Sequence, residues 1–350
     1  MMTLSRATSL TKTVAKWSTM TIVSIVLIMA LFRIGIAVKE RLFPTPLPPP
    51  TVAFGKLPTI EFPQNAGGQQ FSFSIDTLTG KLPSFPDRAK AYKVASNKPD
   101  LLALQKAKEK VSRVGFLSNP IRLSESIYQW TDSTPSARKI SLNIFSSDFI
   151  LSSPFLWDQT VTSGINLPNQ NSAKGIAQSF LSDMSSFPND IDSDKTTTSL
   201  FSIKNYTLVP ATSLSSAQII KVDFFQKNID KMPIYYSHAN ASNMNVFVGG
   251  GDSQAQVVKI DFSHQSISSD FATYPIKTSI EAFSELKSGK AYIASYSSGA
   301  GDSNISIKNA FLGYYIGEKK QDYLMPIIIF TGDHDFFAYV SAIKDVWISN

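Results

Sequence analysis

The chain has 350 residues, 43% hydrophobic, 11% aromatic and 17% charged, which excludes a disordered chain and allows one large domain or two modest ones. The absence of cysteine excludes disulfides, thiol nucleophiles, iron–sulfur clusters and cysteine-based zinc sites. Arg6, Lys12, Lys16, Arg33, Lys39 and Arg41 against Glu40 place +5 of the net +6 in residues 1–41 and leave +1 for the rest, so no nucleic-acid partner is expected.

Residues 1–16 read as a basic tail, and Trp17 to Val38 (WSTMTIVSIVLIMALFRIGIAV) reads as one transmembrane helix. At 1.5 Å per residue the segment would span roughly 33 Å, against a bilayer core of about 30 Å. Its apolar run extends from Ile22 to Phe32. Trp17 is placed as an interfacial aromatic, and Arg33 lies near enough to the far end to snorkel outward. The basic residues before Trp17 predict a cytoplasmic N-terminus and an extracytoplasmic body on a single-pass signal-anchor in the cell membrane. A cleaved signal peptide is the competing reading. The apolar run is long for one, however, and no small-x-small site follows it.

Residues 39–70 read as a proline-rich linker, with Pro at 44, 46, 48, 49, 50, 58 and 63. Such density favours polyproline II and predicts a semi-rigid stalk, loosened by a flexible joint at Asn65–Gln70. Globular patterning begins at residue 71. A first α+β domain is expected over 71–170 and a second over 171–350.

Three helices are predicted. Leu101–Val114 carries an apolar stripe and ends at Gly115. Ala173–Met184 follows Ser172 as N-cap. Ile280–Leu286 has Thr278 and Glu281 as a capping box, buries Ile280 and Phe283, and stops before Gly289. Strands are predicted at 121–130, 138–149, 217–225, 243–248, 254–262, 291–296, 304–316, 323–330 and 336–343, from β-branched and aromatic residues alternating with polar ones. The fold class expected is therefore α+β: two or three repeated units of a helix packed on an antiparallel sheet, behind the anchor and stalk.

The stretch Thr273–Ile293 (TYPIKTSIEAFSELKSGKAYI), followed by LGYYIGEKKQDYLMPIIIF (312–330) and FFAYVSAI (336–343), resembles the YycI/YycH-type and PepSY-like extracytoplasmic domains. The resemblance covers roughly residues 200–345. It implies regulation by contact, typically with a membrane sensor kinase or another envelope protein, and no catalysis.

No constellation of residues carries an obvious chemistry. His238, His264 and His334 lack helical spacing and read as exposed loop histidines. Gly332-Asp333-His334-Asp335 reads as a turn. Asp190, Asp192 and Asp194 alternate like calcium-loop ligands, but Lys195 and Phe201 stand where Gly and Glu belong, so a solvated loop is expected. Gly249-Gly250-Gly251-Asp252 lacks the Lys-Ser/Thr of a phosphate loop and reads as a hairpin connection. No catalytic residue, cofactor or metal is expected. The predicted function is a membrane-anchored binding or regulatory protein acting by protein–protein contact at the cell envelope. A cell-envelope hydrolase or peptidase, and a structural component of an envelope assembly, are the alternatives.

Overall fold

The computed structural model describes residues 17, 18, 20, 21, 24–35, 49–65, 71–95, 100–132, 138–297 and 303–349. The chain divides into two units, Met1–Pro49 and Pro50–Asn350. In the first, residues 24–35 form the longest described helical run. No helix among the described residues is long and apolar enough to cross a membrane. This overturns the expected single-pass placement and, with it, the assignment of the body to the outer side. Trp17, Phe32 and Arg33 are exposed helical residues, while Ile22, the basic tail and residues 36–48 lie outside the described residues.

The second unit is α+β with few helices and mostly antiparallel sheet. One nine-stranded antiparallel sheet runs β4 (Ile121–Arg122), β5 (Ile127–Thr131), β6 (Lys139–Asn143), β7 (Phe149–Ser152), β13 (Gln256–Phe262), β12 (Met244–Gly249), β10 (Ile219–Gln226), β8 (Ile191–Lys204), β9 (Thr207–Pro210). Its strands come from both sides of residue 170, so the expected domain boundary falls inside it.

A second, eight-stranded sheet follows the path β11 (Ile234–Tyr235), β16 (Asn304–Tyr315), β17 (Tyr323–Gly332), β18 (Phe336–Ser341), β15 (Tyr292–Ser295). Off this path, β2 (Ser72–Ile75) pairs with β16, β3 (Arg88–Val94) with β17, and β14 (Ile267–Pro275) with β3. β8 occupies the region expected as a solvated loop at Asp190–Asp194. Ile191 is buried there, and the run Thr196–Thr198 supplies β-branched residues that suit a pleated surface.

The helices are α1 (Ala103–Ser112), α2 (Gln159–Thr162), α3 (Gln170–Asp183) and α4 (Ser279–Lys287). α3 packs on β8, β10, β12 and β13. Ala173, Ala177 and Leu181 form its buried stripe, and the two small residues let its backbone come close to the sheet. It starts before the expected Ser172, because the Asn169 side chain accepts from Ser172 N at 2.9 Å and caps it earlier.

α4 carries the capping box: Thr278 N donates to Glu281 Oε2 at 2.7 Å, and Glu281 N to Thr278 Oγ1 at 3.2 Å. It buries Ala282 and Leu286. Ile280, expected inside, is exposed, because the stripe facing β18 is set by Ser279, Ala282 and Leu286. Phe283 is half-buried, its ring 6.1 Å from that of Phe330. Gly289 follows the helix at φ +75°, the left-handed position that ends helices. Each sheet thus carries a helix. The strands after α3 and after α4 are ordered differently.

One buried cluster joins the sheets. It contains Trp130, Ile140, Phe149, Val222 and Ile260 from the nine-stranded sheet with Tyr314 and Leu324 from the other. The expected stalk is also corrected over its second half, because residues 50–65 lie on the body. Val52 N donates to Thr273 O at 3.1 Å, Tyr274 OH to Gly55 O at 2.9 Å, and β1 (Leu57–Pro58) pairs in parallel with β19 (Ile348–Ser349). The prolines here sit where no ladder donor is needed, and Leu57 and Ile60 supply burial that a spacer would lack.

Candidate functional site

Beside β15 and around His264, polar or aromatic groups come together. The larger place is a groove of about 1070 Å³ beside β15, bordered by Asn65, His238, Tyr292, Tyr296, Glu318 and the α4 end at Gly289. β15 is the last strand of its sheet path, paired with β18 on one side. On its other side the Asn65 amide takes the part of a neighbouring strand. Asn65 Nδ2 donates to Ala291 O at 2.9 Å, and its Oδ1 accepts from Ile293 N at 2.8 Å. One side chain therefore satisfies the donor and acceptor of alternate outward-facing residues, the pair that an added strand would engage.

Aromatic packing delivers Asn65 to that edge. Phe62 lies 5.5 Å from Tyr292, 4.8 Å from Tyr315 and 6.4 Å from Tyr339, in stacked and tilted arrangements. Tyr292 OH donates to Ser237 O at 2.8 Å, which fixes the groove floor. Burial, with the Glu318 carboxylate nearby, pushes the Tyr292 phenol above its ordinary pKa.

The smaller place is a recess of about 280 Å³ lined by His264, which pairs with Asp190. His264 Nε2 lies 2.9 Å from Asp190 Oδ1 and 3.1 Å from Oδ2, and Gln226 Nε2 donates to Oδ2 at 2.8 Å. The next residue, Gln265, is buried; it donates to Lys319 O at 3.2 Å and accepts from Gln321 N at 3.3 Å. The network ties the start of β8 to the β16–β17 hairpin, a positioning role that accounts for both ionisable groups. His264 is thus a paired, half-buried residue and not the exposed loop histidine expected. His238 and His334 are exposed.

Burial alone would raise the Asp190 pKa, but hydrogen bonds from His264 and Gln226 and the His264 charge outweigh it and hold the carboxyl below its ordinary value. A depressed carboxylate contributes stability that is present above its unfolded pKa and lost as pH falls through the folded one. The urea midpoint should therefore fall on acidification below about pH 4. Asp190→Asn should lower the midpoint at neutral pH and flatten that acid limb. An unchanged limb would mean that Asp190 carries none of it.

The residues singled out from sequence do not converge. Gly289 borders the groove, while Thr278, Glu281 and Phe283 serve α4 and its packing. Among the described residues no group of three or more His, Asp or Glu could hold a metal ion. Asn65 was legible only as part of a flexible joint, since a lone Asn gives no sign of a partner more than 200 residues away.

These features define a class: an α+β body with a helix on each sheet and one sheet edge opening on a groove. No family model matches the chain, and no curated protein matches it. A solved structure of an uncharacterised protein from Eubacterium rectale is similar with a TM-score of 0.39 and 11% identity, covering 78% of this chain and 88% of that one.

Proposed function

We propose that this chain is a non-catalytic binding protein that works by contact, taking an extended segment of a partner protein along β15. The observation that supports this is the double hydrogen bond between the Asn65 amide and the edge of β15, which imitates the first rung of an added strand. Strand addition draws affinity from main-chain hydrogen bonds and selectivity from pockets for alternate side chains. The groove beside Tyr292 and Tyr296 supplies such pockets. The YycI/YycH-type and PepSY-like proteins that residues 200–345 resemble also act by contact, which agrees with this reading.

Selection of peptides from a random library on the full chain, followed by hydrogen exchange across residues 291–296, tests it. Bound peptides should slow exchange at the β15 amides. Asn65→Ala should bind them roughly thirtyfold tighter, because the incoming strand no longer displaces two hydrogen bonds, each worth about 1 kcal/mol net. Peptides that leave exchange at 291–296 unchanged, or that bind Asn65→Ala no better, would refute strand addition at this edge.

A further inference from the structure

The turn between β8 and β9 is built from Asn205 and Tyr206, at φ +49° and +58°. Consecutive left-handed residues make the tight hairpin turn in which Asn-Gly is the favoured pair. A tyrosine in the second position carries a backbone strain of roughly 1 kcal/mol that glycine would avoid. Its ring is not sunk into the core in return: it is 60% exposed and lies against Trp157, itself 65% exposed. The two rings stack with centroids 5.5 Å apart and planes 21° from parallel. Trp157 is held by the turn before α2, where Asp158 caps the helix through Thr160 N at 2.9 Å.

Trp157 also forms one wall of a second groove, of about 770 Å³, whose other walls include Asp158, Arg113, Arg138, Asp183 and Gln256. Two guanidinium groups against three carboxylates, Asp252 being the third, leave it no positive excess, and together with the amide they offer donors and acceptors in number.

We propose that the Trp157–Tyr206 pair and this groove bind a neutral glycan, with a pyranose ring lying on the exposed aromatic faces. A pyranose presents polarised C–H groups on its face and hydroxyls around its rim. The C–H groups suit the negative face of an aromatic ring, and the hydroxyls suit a groove carrying both donors and acceptors. A nucleic acid or acidic polysaccharide would need a positive excess that the groove lacks. Strand addition at the neighbouring edge is disfavoured because β9 ends in Pro210, which has no N–H to donate.

Titration of the full chain with cellohexaose, chitohexaose, maltohexaose and laminarihexaose, read by tryptophan fluorescence and saturation-transfer NMR, tests the proposal. At least one should bind and change tryptophan emission. Tyr206→Gly suits the left-handed backbone, so it should keep or raise the melting temperature while weakening that glycan about tenfold. Trp157→Ala should abolish binding. The proposal is overturned if none of the four binds at millimolar concentration, if Tyr206→Gly binds as tightly as the parent, or if a proline-rich peptide occupies the platform and no glycan does. None of these outcomes depends on β15, so the two binding readings stand or fall separately.

Discussion

Trp130→Ala is expected to destabilise the protein by about 3–5 kcal/mol, the range for removing a large aromatic from a packed core. Trp130 is fully buried on β5, directly across from Ile140 on β6, inside the cluster that joins the two sheets. Its loss leaves a cavity that strands on both sides cannot close without shifting register. The indole Nε1–H has no hydrogen-bond partner among the described residues, so Trp130 contributes through volume and not through polarity. Trp130→Phe should therefore cost less than about 1.5 kcal/mol, because part of the lost contact is offset by removing an unsatisfied buried donor. Urea midpoints of the two variants beside the parent decide it. If both variants were equally damaged, the Nε1–H would have a partner and the account of this core would be wrong.

Two chemically identical substitutions should act in opposite directions. At Gly250 an added Cβ would sit 2.1 Å from the carbonyl oxygen of Ile165, which itself accepts from Gly251 N at 3.1 Å. A methyl group there must push the 164–167 segment off the hairpin and break that hydrogen bond. Gly250→Ala should cost about 3 kcal/mol. At Gly175, on the exposed face of α3, the same Cβ meets nothing within 4 Å. Gly175→Ala should stabilise by about 0.5–1 kcal/mol through helix propensity and a less flexible unfolded chain. Thermal unfolding of both gives the signs. A neutral Gly250→Ala would remove the close approach as the reason for glycine at this position.

That motif shows where sequence stops informing. Gly249–Gly251 read as a hairpin connection, and the structure places it between β12 and β13. Each glycine is crowded by a different neighbour, Gly249 by the Val161 and Ile219 side chains, Gly250 by the Ile165 backbone and Gly251 by Gln254 O, and spacing alone reveals none of them. Local features were legible for the same physical reason in reverse. The alternation in Val258–Phe262 and the Thr278–Glu281 reciprocal cap are determined within a few residues, and both lie where they were read. β3 was missed. RAKAYKV carries two alanines and three cations, so its buried Ala91 and Tyr92 do not announce a strand. The site residues were hardest. Asn65 meets Ile293, and Asp190 meets His264, 74 positions on, through contacts that only the folded topology creates. The apolar run after Trp17 misled most: its hydropathy and length were read as a membrane span, and no helix among the described residues is long and apolar enough to be one.

The parallel rung between Leu57–Pro58 and Ile348–Ser349 has a mechanical consequence. The strip 50–65 is clasped near its middle by β19, and Ser349 Oγ adds a hydrogen bond to Leu57 O at 3.1 Å. The same strip carries Phe62 and Asn65 to the mouth of the groove. Anything that tugs or covers the β19 end therefore works on the far end of a short lever, sliding Asn65 along β15 or lifting it away. Phe62, packed on Tyr292 and Tyr315 between the clasp and Asn65, is the pivot of that lever.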